Sequence, residues 1–209
     1  MKVDLSTVIA LFLVVYGVFV AITATNLYAA GIVDQRSLEV YQTSGIFISV
    51  LSLGYIVYHT VLDRSRNVVS YEFRDRSKDL PAVVLAVAAI SFVFVLNQFS
   101  SPAESPLVGF LISVLGLVPV LIALAENYFY IGVIGDYVYD ATGNKLFASF
   151  VVASVALMFH LALKVAYPVY NLPALFLQFF VWAYASFVDR STFPADVGHL
   201  LNNTLAFIL

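Results

Sequence analysis

The chain has 209 residues, of which 62% are hydrophobic and only 11% charged, with a mean hydropathy of +0.95 and a net charge of -3; this excludes an ordinary soluble domain and a basic nucleic-acid binder. It has no cysteine, which excludes disulfides, a thiolate nucleophile and a Cys-ligated metal. At about 20 apolar residues per crossing, residues 1–209 hold six or seven membrane helices as one domain and leave no room for a separate soluble one.

The first apolar run, Thr7 to Val33, follows a single Lys2 and is too long and too weakly cationic at its start for a cleavable signal peptide, so it is expected to remain as the first span. Asp34 to Ser44 reads as a polar connection, and Gly45 to Leu62 as the second span. His59 lies beside the polar loop that follows and reads as an interfacial residue rather than a ligand. Asp63 to Asp79 is the one charge-dense stretch and carries Arg64, Arg66, Arg74, Arg76 and Lys78. Positive residues collect in cytoplasmic loops, so this loop is placed inside, where it also lies within reach of anionic lipid.

Pro81 opens the third span, to Phe99, and the SSPAESP turn after it has no Lys or Arg and is placed outside. The fourth helix starts at Leu107 and carries Glu126. Unbroken to Tyr139 it would run about 50 Å, with Gly132 and Gly135 as candidate break points. The fifth runs from Lys145 to Val165, the sixth from Ala174 to Val188, and a seventh, shorter than a full crossing, begins at Val197. The expected fold is therefore all-α, a multi-pass bundle of about seven helices around a polar intramembrane cavity, with the N-terminus cytoplasmic and the C-terminus outside. Eight of the ten Lys and Arg then lie on the cytoplasmic side, and Arg36 and Lys164 dissent.

Ionisable groups inside spans cost about 2.5–3.5 kcal/mol each on insertion scales, so each is a hypothesis about function. The Ala141–Asn144 turn, ATGN, makes the fourth and fifth helices an antiparallel hairpin. Glu126 lies 15 residues before Ala141 and His160 lies 16 after Asn144. Both are therefore about 22 to 24 Å from the turn and can face each other. His199 and Asn203, four apart, share one face of the last helix, while Asn202 points elsewhere. Pro194 and Asp196 mark the start of that helix. A buried Glu and His can serve chemistry or merely hold helices together. A Glu with two His could also hold zinc, but the compact HExxH pattern is absent and a metal is not favoured.

Three stretches carry a resemblance to a known family. AENYFYIG with Glu126 and Gly132, MFHLA with His160, and HLLNN with His199 and Asn203 resemble the motifs of the CPBP intramembrane proteases, which include the CAAX prenyl endopeptidases and bacteriocin-processing proteins. The likeness covers residues 107–209. The chain departs from the pattern at Asn127, where a second Glu is expected, at Ile131 in place of Arg, and at Ala156 in place of Phe. The resemblance implies an endopeptidase acting near the cytoplasmic face, on a peptide or protein substrate of which a prenylated CAAX protein is one example. Glu126 and His160 would activate a water, His199 and Asn203 would stabilise the oxyanion, and no cofactor would be needed. A non-catalytic scaffold or binding protein of the same build is the alternative, and a transporter is disfavoured because the polar residues gather in one place without an inverted repeat.

The charge asymmetry makes the orientation directly testable. Because the chain has no cysteine of its own, a single Cys introduced between Arg64 and Lys78 is expected to stay unlabelled by an impermeant thiol reagent in intact cells. Labelling there would reverse the orientation.

Overall fold

The structure, a computed structural model, describes residues 5–62, 115–162 and 172–208. The charged loop, the third span and the start of the fourth helix, as expected above, lie outside the described residues. Among the described residues every regular element is helical. In chain order, α1 spans Leu5–Ala29 and α2 spans Gln35–Ile56, with a π-helical end at Val57–Val61. The rod α3 is α-helical over Val118–Phe129, π-helical over Tyr130–Gly135 and α-helical again over Asp136–Thr142. The chain continues in α4, Lys145–Ala162, α5, Leu172–Asp189, and α6, Phe193–Ile208.

Four helices are long and apolar enough to cross a membrane, namely Ser6–Ala29, Gln35–Val61, Val118–Thr142 and Leu172–Asp189, and Lys145–Leu161 is apolar but shorter. Their outer faces suit a lipid environment. On α1 the residues Leu11, Phe12, Val15 and Ile22 are all more than half exposed, a surface that hydrocarbon covers and water would not.

Three helix boundaries differ from those expected. First, α2 starts at Gln35 rather than Gly45, because Asp34 caps it: its carboxylate accepts the Ser37 N–H at 2.7 Å. Hydrogen bonds from Ser37, its hydroxyl first and its backbone N–H second, hold the exposed Asp34 carboxyl below the usual aspartate range. Second, α6 starts at Phe193, one residue before the Pro194 start signal and four before the apolar run at Val197. Ser191 Oγ accepts the Phe193 N–H at 3.1 Å and the Thr192 carbonyl accepts the Asp196 N–H at 2.9 Å, which satisfies donors of the first turn. Third, Gly132 and Gly135 widen α3 into a π-turn instead of breaking it. The ATGN turn closes the α3–α4 hairpin as a left-handed Gly143 at φ 64, with Asn144 Oδ1 accepting the Phe147 N–H at 3.1 Å as the cap of α4.

The rod α3 is the element that the others surround. Val118, Val120, Leu121 and Leu124, with Leu115 just before the rod, pack on Leu13, Val20, Ile48 and Leu51 of α1 and α2. Its second half, through Tyr130 and Ile131, packs on Ala148, Val152 and Ala156 of α4 and on Phe179 and Phe187 of α5. α2 runs parallel to α3, pairing Tyr55 with Tyr128 at a ring separation of 5.0 Å and His59 with Gly132. α6 runs antiparallel to α3, pairing Asp196 with Asn127 and Asn203 with Pro119.

Lipid tails are as apolar as Leu, so close packing and hydrogen bonds, rather than apolar burial, decide which helices associate. α1 and α2 use both. A Cβ added at Gly17 would meet the Gly45 carbonyl and Ser49 Oγ, and one added at Gly45 would meet the Gly17 carbonyl and, at 3.1 Å, the Ala21 nitrogen. Around this crossing Ser49 Oγ donates to the Val14 carbonyl at 2.9 Å, Gln42 to Thr25 at 2.9 Å and Tyr55 to Ser6 at 3.0 Å. Gly45→Ala, which forces backbone apart from backbone, is expected to destabilise the protein by about 1–3 kcal/mol, read as a lower midpoint of unfolding in detergent micelles. An unchanged midpoint would mean that the two helices do not cross at Gly17 and Gly45.

Candidate functional site

Glu126 sits in the middle of α3 and is 5% exposed, on the side facing α4 and α6. One imidazole approaches each of its oxygens. His160 Nε2 of α4 lies 3.9 Å from Oε1, and His199 Nε2 of α6 lies 3.4 Å from Oε2. The hairpin register brings His160 to this level, and the antiparallel run of α6 brings His199.

Each ring is also held at its other nitrogen. His160 Nδ1 is 2.8 Å from the Ala156 carbonyl one turn back on its own helix. His199 Nδ1 is 3.2 Å from Asn127 Oδ1. Asn127 in turn donates through Nδ2 to Asp196 Oδ1 at 2.9 Å, and the Thr192 hydroxyl donates to Asp196 Oδ2 at 2.8 Å. Asn127, Thr192, Asp196 and His199 are all buried, so the row is a side-chain network closed off from solvent, in which each hydrogen bond is electrostatically stronger than in water.

Apolar side chains wall the site. Phe179 of α5 packs on both imidazoles, with centroids 5.5 Å from His160 and 5.4 Å from His199. Trp182, one turn further along α5, stacks on His199 at 4.8 Å and 24°. Tyr130, one turn beyond Glu126 on α3, packs against Phe179 at 5.8 Å and lies within electrostatic reach of the Glu126 carboxyl. Its buried hydroxyl has no hydrogen-bond partner among the described residues.

Of the four residues singled out from sequence, the structure brings together Glu126, His160 and His199. Asn203 is placed elsewhere: its Nδ2 donates to the Pro119 carbonyl at 2.7 Å. Pro119 lies seven residues before Glu126, about 10 Å along the axis. There Asn203 ties α6 to the first turn of α3. Asn202 points to α5 and accepts from Gln178 at 3.0 Å. His59, at the end of α2, is buried, and its Nε2 donates to the Gly132 carbonyl at 2.7 Å inside the widened turn of α3. The residues missed by sequence reasoning are Asn127, Asp196 and Thr192. The one local sign is the polar pair Glu126–Asn127 in an apolar run, since neighbouring positions on a helix point to different partners.

Among the described residues no group of three or more His, Cys, Asp or Glu side chains is arranged to hold a metal ion. In comparisons with family models, curated proteins and solved structures the chain finds no match.

Gly198 supports the wall of this site, because a Cβ there would run into the Trp182 indole. Trp182 is the only tryptophan of the chain, so its fluorescence reports on the stack with His199. Gly198→Ala is expected to push the indole off the imidazole and change the emission maximum and intensity. Emission identical to wild type would show that Trp182 and His199 are not stacked.

Proposed function

We propose that the protein is an intramembrane endopeptidase of the CPBP type, a seven-span bundle whose polar cavity opens to the cytoplasmic side and in which Glu126, His160 and His199 hydrolyse a peptide bond with a water molecule. The observation that carries this reading is the buried carboxyl with an imidazole nitrogen at each oxygen. Three groups able to exchange protons, drawn from three helices, are what general acid and base catalysis of hydrolysis requires. The parallel run of α2 and α3 and the antiparallel run of α3 and α6 are what the seven-span order requires of its second, fourth and last helices.

The separation of 3.9 Å between Glu126 and His160 exceeds a direct hydrogen bond and suits a bridging water. Attack of that water forms the new C–O bond and passes a proton to the cluster. Collapse of the tetrahedral intermediate breaks the C–N bond while the cluster returns a proton to the leaving amine. Asn203, engaged with Pro119, is assigned to helix packing in this reading, and the hydroxyl of Tyr130 is the polar group nearest in sequence to Glu126 on its face of α3. Membrane lipid surrounds the bundle, and the substrate is a peptide or protein presented at the inner face.

A second reading, a scaffold or binding protein that keeps the cluster only to join its helices, is favoured by one feature: Asn127, Asn203 and the two histidines all tie helices to one another. Proteolysis and unfolding, measured side by side on the purified protein against a broad peptide panel, separate the two. The protease reading expects Glu126→Ala and His160→Ala each to abolish cleavage and leave the unfolding midpoint close to that of wild type, with chelators having little effect. Inert wild type together with a clearly destabilised Glu126→Ala would establish the scaffold instead.

A further inference from the structure

The hydrogen bonds around the cluster say where its protons are. A backbone carbonyl only accepts, so the nitrogen of His160 that faces the Ala156 carbonyl, Nδ1, carries the hydrogen. At His199 the same result follows by two steps. The Asp196 carboxylate, already accepting from Thr192, orients the amide nitrogen of Asn127 toward itself. The amide oxygen then faces His199 and can only accept, so Nδ1 of His199 carries the hydrogen as well.

In a neutral imidazole with its hydrogen on Nδ1, Nε2 is a lone-pair acceptor. Both Nε2 atoms are directed at Glu126, at 3.9 and 3.4 Å. An ionised carboxylate 3.4 Å from the lone pair of His199 Nε2 would set acceptor against acceptor in a buried site, and a further proton on the cluster relieves that conflict. Placed on the carboxyl, that proton leaves every member neutral. Placed on either ring, it creates separated charges that burial penalises. A carboxylic acid kept neutral by an apolar site so that it can donate a hydrogen bond is an established catalytic device.

We propose that His160 and His199 are fixed as Nδ1–H tautomers by Ala156 and by the Thr192–Asp196–Asn127 row, and that Glu126 is the proton donor of the site while an unprotonated Nε2 is its base. The catalytic part rests on the protease reading above; the tautomers and the protonated carboxyl do not. In the reaction His160 Nε2 takes a proton from water as the C–O bond forms. Glu126 gives its proton to the amine nitrogen as the C–N bond breaks, and the imidazolium then reprotonates Glu126, which restores the starting state. Asn127 and Asp196 are positioning residues in this scheme. Among the described residues the other titratable groups around the rings are Tyr130 on α3 and Asp196 on α6, while α5 contributes the uncharged Phe179 and Trp182.

The chain contains only three histidines, so nitrogen-15 NMR of the full chain labelled at histidine, in lipid nanodiscs, resolves each ring once His59→Gln, His160→Gln and His199→Gln have assigned the signals. The expected result at neutral pH is a protonated Nδ1 and an unprotonated Nε2 in both His160 and His199. Infrared spectra should show a carboxylic-acid carbonyl band that Glu126→Gln removes. Asn127→Leu should release the tautomer of His199 but not that of His160 and lower kcat by about 10- to 100-fold with little change in KM. The exchange variant Asn127→Asp/Asp196→Asn reverses only the middle hydrogen bond, still leaves an acceptor at position 196 for Thr192 and one at position 127 for His199, and should restore the Nδ1–H tautomer of His199. Because it places a carboxylate against that ring, it should also raise the acid limb of the pH–rate profile. Wild-type His199 found with its hydrogen on Nε2, or an ionised Glu126 at neutral pH, would overturn the proposal. The expected spectra from a protein that cleaves no peptide would sink the protease reading alone.

Discussion

Nothing in a hydrocarbon layer can hydrogen-bond to a polar group, so each polar group that a helix carries into it must find its partner inside the protein. Glu126 imposes this demand most strongly, since it lies near the middle of the helix that all the others surround. Meeting it fixes the level of α4 through His160 and that of α6 through His199. Asn127, next to it on α3, repeats the demand toward Asp196 and adds a second constraint on α6. Two adjacent polar residues thus orient two helices that apolar contacts alone would leave able to slide.

The apolar neighbours are small where the helices must be close and aromatic where the site must be walled. On α4 the buried face is Ala148, Val152, Ala153 and Ala156. Ala156 serves twice, since its short side chain lets α4 approach α3 while its carbonyl holds His160. The large rings come from α5, whose Phe179 occupies the space against both imidazoles. An aromatic neighbour for His160 is therefore supplied across the helix interface, although the position four residues before it in the sequence is an alanine.

Much of this arrangement is legible in the amino-acid sequence, and the division between what is legible and what is hidden follows the range of the interactions. The ATGN turn, the matched offsets of Glu126 and His160, and the helix face of His199 depend on local geometry, which spacing reports well. The partners of Asn127 and Asn203 lie 69 and 84 residues away, and no periodicity carries that information. Asn203 shares a face with His199 yet serves a different part of α3, because four residues along a helix advance about 6 Å, enough to change the partner. The widened turns in α2 and α3 are equally hidden. A glycine reads as a break in a helix, and the partner that meets the Gly132 carbonyl in the widened turn, His59, comes from another helix 73 residues away. The fold class needs only composition, whereas the boundary of α2 is misplaced because a polar first turn capped by Asp34 looks like a loop.

The hairpin of α1 and α2 has one more consequence. Its glycine crossing and the hydrogen bonds of Ser49, Gln42 and Tyr55 across it join residues between Ser6 and Tyr55. During synthesis this pair can be laterally released into the bilayer and clasped while the ribosome is still translating the rest, and it then offers a finished surface, lined by Ile48, Leu51 and Tyr55, on which α3 docks when it emerges. The buried carboxyl of Glu126 accordingly enters lipid beside an existing template.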